Sequence, residues 1–382
     1  VSDPFNFPQQ ELVRYRHLLP QALERLTTSG QVILGEGVRR FEAAFAQWLG
    51  SGCGSRQVLG VASGTDALEL ALRAAGVRPG DRVLLPALTA YATAAAVLRV
   101  EAEPVFVDLE PHRSVLSVAH LAHHLEEGRL SPGEAGPFRA VIAVHLYGEA
   151  CDLVPLQAIC AQHGLALIED CAQACGTSYR ERAVGTWGDF AAFSFYPTKN
   201  LPACGDGGAL VINRPEALEA ARRSRFYGWD QERRAVQFGV NSRLDELQAW
   251  VLLGKLPDLD ERLQERRRVA GWYRALLADS GLTLPGDGAD WRHSFHLHVV
   301  RLQEPSLRQR VLAGARRQGL PLAIHYPLAC HQHPYVSERF GPRAPLPETE
   351  RRLEEILSLP LHPYLSRGAV EQVARGVRSL LT

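Results

Sequence analysis

Apolar positions in the first two thirds of the chain follow two periods in turn. Val38, Phe41, Phe45, Trp48 and Leu49 recur at helical spacing and predict a helix that stops near Gly50. Short runs rich in Val, Leu, Ile, Ala and Phe follow at 57–62, 82–87, 103–108, 139–146, 165–169, 189–195 and 207–213. Unbroken apolar runs of that length suit strands covered on both faces. Helical stretches such as 65–75 and 153–163 separate the early ones. This alternation predicts a mainly parallel sheet with helices on both faces, and such sheets hold their sites at the carboxyl ends of the strands.

Beyond about residue 256 the pattern changes. A long arginine-rich helix (258–279) leads to a Pro/Gly/Asp stretch at 285–290. A strand at 293–302, a helix at 306–318, a strand at 321–326 and two closing helices are then expected. The division predicted is a large α/β domain over 1–255 and a small α+β domain over 256–382. A chain of 382 residues is long enough for both.

Composition excludes more than it reveals. Forty-two basic and 42 acidic residues cancel to a net charge of +0. No basic face is implied, so neither nucleic acid nor an anionic membrane is expected as partner. The longest apolar runs fall well short of a membrane span, and no leader pattern opens the sequence. Seven cysteines without a CxxC pair read as reduced thiols. A cytoplasmic protein is the expectation. One count changes the picture: there are only two lysines, Lys199 and Lys255, beside forty arginines. Chemistry that needs a primary amine has two possible addresses.

Lys199 lies in Ser194-Phe195-Tyr196-Pro197-Thr198-Lys199-Asn200-Leu201, followed by Gly205-Asp206-Gly207-Gly208. An apolar strand ends in serine, a proline forces a turn, and the lysine follows. An amine in a partly dry strand-end pocket can lose its proton and form a Schiff base; the plain alternative is a solvated loop lysine. Asp170 ends the run Leu165–Glu169, where its carboxylate could hold a proton on a pyridinium nitrogen or simply cap the next helix. Val61 to Leu68 form a strand, a small-residue turn and a helix start, and the free N–H groups at 64–66 favour a phosphate. Amine, ring-nitrogen partner and phosphate cradle fall on one edge of the sheet.

With these residues in place, the chain resembles the DegT/DnrJ/EryC1/StrS family of pyridoxal-phosphate-dependent sugar aminotransferases. The likeness runs through Ser63–Leu68, Pro86…Thr89, Glu169–Ala174, Ser194–Gly208, Asn241-Ser242-Arg243, His325-Tyr326-Pro327 and Leu359–Pro363. It implies the aspartate aminotransferase (type I) fold, with a mainly parallel seven-stranded sheet and pyridoxal 5'-phosphate as cofactor. Lys199 would then be the Schiff-base lysine and proton carrier, with Asp170 on the pyridine nitrogen and Gln173 near the ring hydroxyl. Gly64, Thr65, Asp66 and Ser194 would hold the phosphate. Asn241 would reach the phosphate of a second subunit, making a homodimer with shared active sites. His325 and Tyr326 would line the sugar-nucleotide pocket. One departure stands out: the aromatic ring expected directly after Thr89 is Ala90 here, with Tyr91 next. Either Tyr91 stacks on the cofactor through a reshaped turn, or stacking comes from elsewhere.

The expected reaction moves an amino group from an amino acid, L-glutamate by resemblance, to a nucleotide-linked keto-sugar. The Gly-Asp-Gly-Gly wording resembles members acting at C-3 more than those acting at C-4. Alternatives are an aminocyclitol substrate, a sugar dehydratase, and a non-catalytic regulator on the same fold. A nicotinamide dehydrogenase is disfavoured because Val32–Gly37 lacks the third glycine of the fingerprint, which is Arg40. No metal site is expected. His120, His123 and His124 share a helix face without a completing carboxylate or cysteine, and His325, Cys330, His331 and His333 cluster in a proline-bounded loop.

Overall fold

The computed structural model describes residues 8–50, 57–130, 136–341 and 344–381. Cys53 lies outside them. Seven strands form the central sheet: β1 (Gln57–Val61), β2 (Arg82–Pro86), β3 (Glu103–Val107), β4 (Phe138–Val144), β5 (Ala166–Asp170), β8 (Phe190–Ser194) and β9 (Gly208–Ile212). Between β5 and β8, the short β6 (Ser178–Tyr179) and β7 (Arg182–Ala183) form a small three-stranded sheet with β10 (Trp291–Arg292). β11 (His298–Arg301) and β12 (Ile356–Leu359) pair antiparallel.

The central order is β1-β9-β8-β5-β4-β2-β3. All neighbours from β8 to β3 run parallel, and β9 alone runs against both of its partners. The seven apolar runs of the sequence are these seven strands. β5 and β9 are buried at every residue, as expected for strands with helices on both faces. Two hydrophobic cores sandwich the sheet. One holds Leu68, Leu85, Ile142 and Ile168; the other holds Phe41, Phe45, Val141 and Phe193.

The later part differs in detail from the expected pattern. The arginine-rich helix is Leu259–Leu276, and the next helix is Pro305–Gln318. The 293–302 strand is shortened to β11. Residues 321–326 are not a strand, because Pro321 and Pro327 bracket them and only Ala323 bridges to Ser358. The true partner of β11 is β12, inside the region expected to be helical. Among the described residues three α-helices, not two, follow residue 330: Pro334–Phe340, Pro347–Glu355 and Arg367–Leu381. A third core gathers Tyr273, Phe295, Val300, Leu357 and Val373. Among the described residues no helix is long and apolar enough to cross a membrane.

Candidate active site

The site forms where β1, β5 and β8 end. After β1, the helix Gly64–Ala74 opens with Ser63 as its cap, whose Oγ accepts the Asp66 N–H at 3.1 Å. Gly64 and Thr65 have N–H groups with no intrahelical acceptor, at the positive end of the helix dipole. The backbone here is crowded from the far side. A Cβ on Gly64 would lie 2.8 Å from the Ser194 Cβ, and one on Gly208 would lie 2.4 Å from the Ser63 carbonyl carbon. Only glycine lets β9 and the end of β8 close around the turn. The result is a cradle lined by Ser63, Gly64, Thr65 and Ser194.

Asp170 is the last residue of β5 and is buried. Its Oδ2 accepts from Thr93 Oγ1 at 2.8 Å and its Oδ1 from the Ala172 N–H at 3.1 Å. Thr93 and Thr89 hydroxyls are 3.0 Å apart. Thr93 gives its single proton to Asp170, so Thr89 must donate to Thr93. Burial pushes the Asp170 carboxyl above its ordinary range, while the Ala172 and Thr93 hydrogen bonds and the Lys199 charge pull it back. A proton-bearing ring nitrogen in front of it would supply the counter-charge this carboxylate lacks.

Lys199 is half-buried in the turn after β8. Burial pushes its amine down to about 8, against the opposing pull of Asp170. No hydrogen bond or ion pair engages that amine among the described residues. Lys255 is the opposite case: buried, 3.1 Å from Glu11 Oε1, and donating to the Pro202 carbonyl at 2.9 Å. Of the two lysines, Lys255 is tied into buried contacts and Lys199 faces the cavity.

Gln173 is fixed from two sides. Its Oε1 accepts the Tyr147 N–H at 2.9 Å, and its Nε2 donates to the Tyr326 hydroxyl at 2.8 Å. Tyr147 in turn donates its hydroxyl to the His325 carbonyl, and His325 Nδ1 lies 2.8 Å from Ser358 Oγ. The cavity enclosed by these groups is about 230 Å³, with Asp170, Gln173, Ser194 and Lys199 all on its wall. Tyr326 and His325 are joined to that wall through Gln173 and Tyr147 but do not line it.

Three further expected site residues have their side chains off the cavity wall of this chain. The Asp66 carboxylate faces away from the cradle, held by Arg99 Nη1 at 2.8 Å and the Ser242 hydroxyl at 2.7 Å. Tyr91 is the first residue of a helix and packs on His333, with ring centres 4.7 Å apart; its neighbours Ala90 and Ala92 line the cavity instead. Asn241 is exposed. In contrast, Thr89, Thr93 and Tyr147 complete the site without having been singled out as site residues. Thr89 and Thr93 are one helical turn apart, a spacing visible in the sequence; nothing local marks Tyr147.

The other clusters have structural occupants. The Gly35–Gly37 turn is closed by Glu246, whose carboxylate accepts the N–H groups of Gly37 and Val38 at 2.8 and 2.9 Å. His120 Nδ1 accepts the Asp108 N–H at 2.8 Å. His145, Glu169 and Cys171 lie close together and buried. Glu169 already accepts from the N–H groups of Gly185, Trp187 and Gly188, and His145 Nδ1 from that of Cys151. The Glu169 carboxylate ties down the 185–188 loop, and His145 holds the chain at Cys151.

A depressed amine with no partner among the described residues, a buried carboxylate one strand away and a cradle of backbone N–H groups fit pyridoxal phosphate. Together with a seven-stranded, mainly parallel sheet, they define a pyridoxal-phosphate-dependent aminotransferase of type I fold. The model of the DegT/DnrJ/EryC1/StrS aminotransferase family matches residues 16–378, and the chain belongs to that family. The chain is 36% identical to a pleiotropic regulatory protein of Geobacillus stearothermophilus, over 97% of this chain and 98% of that protein. It is 38% identical to the UDP-N-acetyl-3-dehydro-alpha-D-glucosamine 3-aminotransferase of Acidithiobacillus ferrooxidans, over 96% of each. Among solved structures, S. venezuelae DesV in complex with a ketimine intermediate superposes with TM-score 0.88 and 36% identity, covering 99% of this chain and 98% of that one.

Proposed function

We propose that the enzyme transfers the amino group of L-glutamate to the C-3 carbonyl of a nucleotide-linked keto-sugar. One observation carries the reading: the Lys199 amine is unpaired and depressed to about 8 on the same cavity wall as Asp170. The C-3 assignment is supported by the name of the Acidithiobacillus relative and by Gly205-Asp206-Gly207-Gly208 after the lysine.

When bound, the cofactor supplies a carbonyl for amine exchange and an electron sink for the carbon that loses its proton. The chain's residues do the rest. Gly64 and Thr65 N–H groups and the Ser194 hydroxyl would hold the phosphate. Asp170, oriented by Thr93, would keep a proton on the ring nitrogen. Gln173 would sit near the ring hydroxyl, and its Nε2 donates to Tyr326. Lys199 would carry a proton between the two carbons that flank the transferred nitrogen, as general base and then acid; a value near 8 suits both roles.

His325 and Tyr326 belong to the sugar side of this reading. Exposed Asn241 would complete the phosphate site of a second subunit, which makes the working form a homodimer. The boundary near residue 256 sets the part carrying Lys199 apart from the part carrying His325 and Tyr326.

The test compares wild type with Lys199→Ala. Wild type should carry cofactor that borohydride fixes to Lys199, located by peptide mass spectrometry. Lys199→Ala should lose glutamate-dependent amination by roughly a thousandfold or more. Unlabelled Lys199, or full activity in the variant, rejects the reading. A panel of C-3 and C-4 keto-sugar nucleotides decides the position; ammonia release without amino-sugar would mean dehydration instead.

A further inference from the structure

A second cavity, of about 600 Å³, lies beyond Tyr147, which lines it. It carries four guanidinium groups, from Arg113, Arg274, Arg301 and Arg352, against two carboxylates, Glu149 and Asp287. Both carboxylates are already engaged. Glu149 holds Arg113 at 2.7 Å, and Asp287 holds Arg267, which is not part of the wall, at 3.1 Å.

The remaining cations are under-compensated. The guanidinium groups of Arg274 and Arg301 make no hydrogen bond or ion pair among the described residues. Arg352 is only 1% exposed. It donates to Ser114 Oγ at 3.2 Å and the Pro111 carbonyl at 3.0 Å, but its Nε has no hydrogen-bond partner, and Glu355 is 3.7 Å away. Burial pushes Arg352 down to about 10 and Arg301 below its ordinary value. Buried Arg352 and half-buried Arg301, with exposed Arg274 at the rim, call for an anion.

The kind of anion follows from shape. Planar N–H forks from several directions match the tetrahedral oxygens of phosphate better than a single flat carboxylate. The volume far exceeds that of bare phosphate and falls within the range of small-molecule pockets, roughly 300–1,000 Å³. Leu284, Pro285, Val299 and Trp291 supply an apolar side for the rest of the molecule.

We propose that this cavity is a binding site for a phosphate-bearing small molecule, separate from the cofactor cavity. Its occupant would touch Tyr147, whose N–H fixes Gln173, so binding there is mechanically joined to the catalytic wall.

The test is calorimetric titration of the cofactor-loaded enzyme with inorganic pyrophosphate, with succinate as the carboxylate comparison. Wild type should bind pyrophosphate. Arg301→Gln should weaken that binding at least tenfold and Arg274→Gln, an exposed change, several-fold, both with unaltered cofactor absorbance. Equal pyrophosphate binding in all three proteins would put the anion elsewhere and overturn the proposal. No binding by wild type at millimolar concentration also overturns it, as does succinate binding as tightly as pyrophosphate.

Discussion

Lys199 and Asp170 set the pH behaviour of the site. In the cofactor-free protein the amine is depressed from 10.5 to about 8, so between those values the unfolded chain binds more protons than the folded one. Stability relative to Lys199→Met should therefore rise from pH 8 toward 10.5, read by denaturant unfolding of both apoproteins; a flat difference would mean that the amine is not buried. Thr93 acts through Asp170. Thr93→Val removes a hydrogen bond to a charged group, worth about 1.5–3 kcal/mol, and should cut kcat by roughly ten- to a hundredfold. Thr93→Ser should restore most of it, and a variant as active as wild type would remove Thr93 from the machinery. Much of this was legible in the sequence: scarcity singled out the lysines, and strand ends placed Lys199 and Asp170. The Asp66 side chain was not, because Arg99 and Ser242 are distant in the chain and take its carboxylate. Tyr91 followed its helix, which turns the ring toward His333.

At the level of elements, close approach of backbones decides the cradle. Gly208→Ala would drive a methyl to 2.4 Å from the Ser63 carbonyl carbon. Overpacking of this kind costs about 1–3 kcal/mol, and it falls on the phosphate turn. The expected result is a lower melting temperature with cofactor affinity reduced at least tenfold; unchanged affinity would mean that the turn tolerates the shift. Glu246→Ala removes the acceptor for two N–H groups at the start of the helix Glu36–Trp48 and should cost about 1–2 kcal/mol of stability by denaturant titration. The parallel strands were readable because each buried run is bounded by turn residues. β12 was not: Ile356 follows the helix Pro347–Glu355 with no break, and only pairing with β11 makes those residues a strand. Conversely, 321–326 has strand-like residues but only a single bridge to Ser358, a residue of β12.

Across the whole molecule, the second lysine ties distant segments together. Glu11, on the N-terminal helix Pro8–Arg14, meets Lys255 at 3.1 Å and Arg262 at 2.6 Å, with the Tyr364 hydroxyl donating at 2.7 Å. Burial raises the Glu11 carboxyl, but Arg262 and Lys255 outweigh it and hold it below 4.5. Its stabilising contribution is thus full above that value and lost as pH falls through the depressed one. Glu11→Gln leaves two buried cations short of charge and should cost roughly 3–5 kcal/mol, measured by chemical denaturation. Lys255→Arg should destabilise as well, since a larger head must fit beside Glu11 and Pro202.

The lone antiparallel strand has a consequence for biosynthesis. β1 reaches the sheet only through β9, and Val61 pairs with Gly208, about 150 residues further along. As the chain leaves the ribosome, β2 to β5 can associate while β1 and the turn after it still lack a neighbour. The segment bearing Lys199 must emerge before β9 can bring β1 home. Docking of the first strand and closure of the catalytic loop are then one late event, so nascent chains cut before residue 208 should hold much of the sheet yet capture no cofactor.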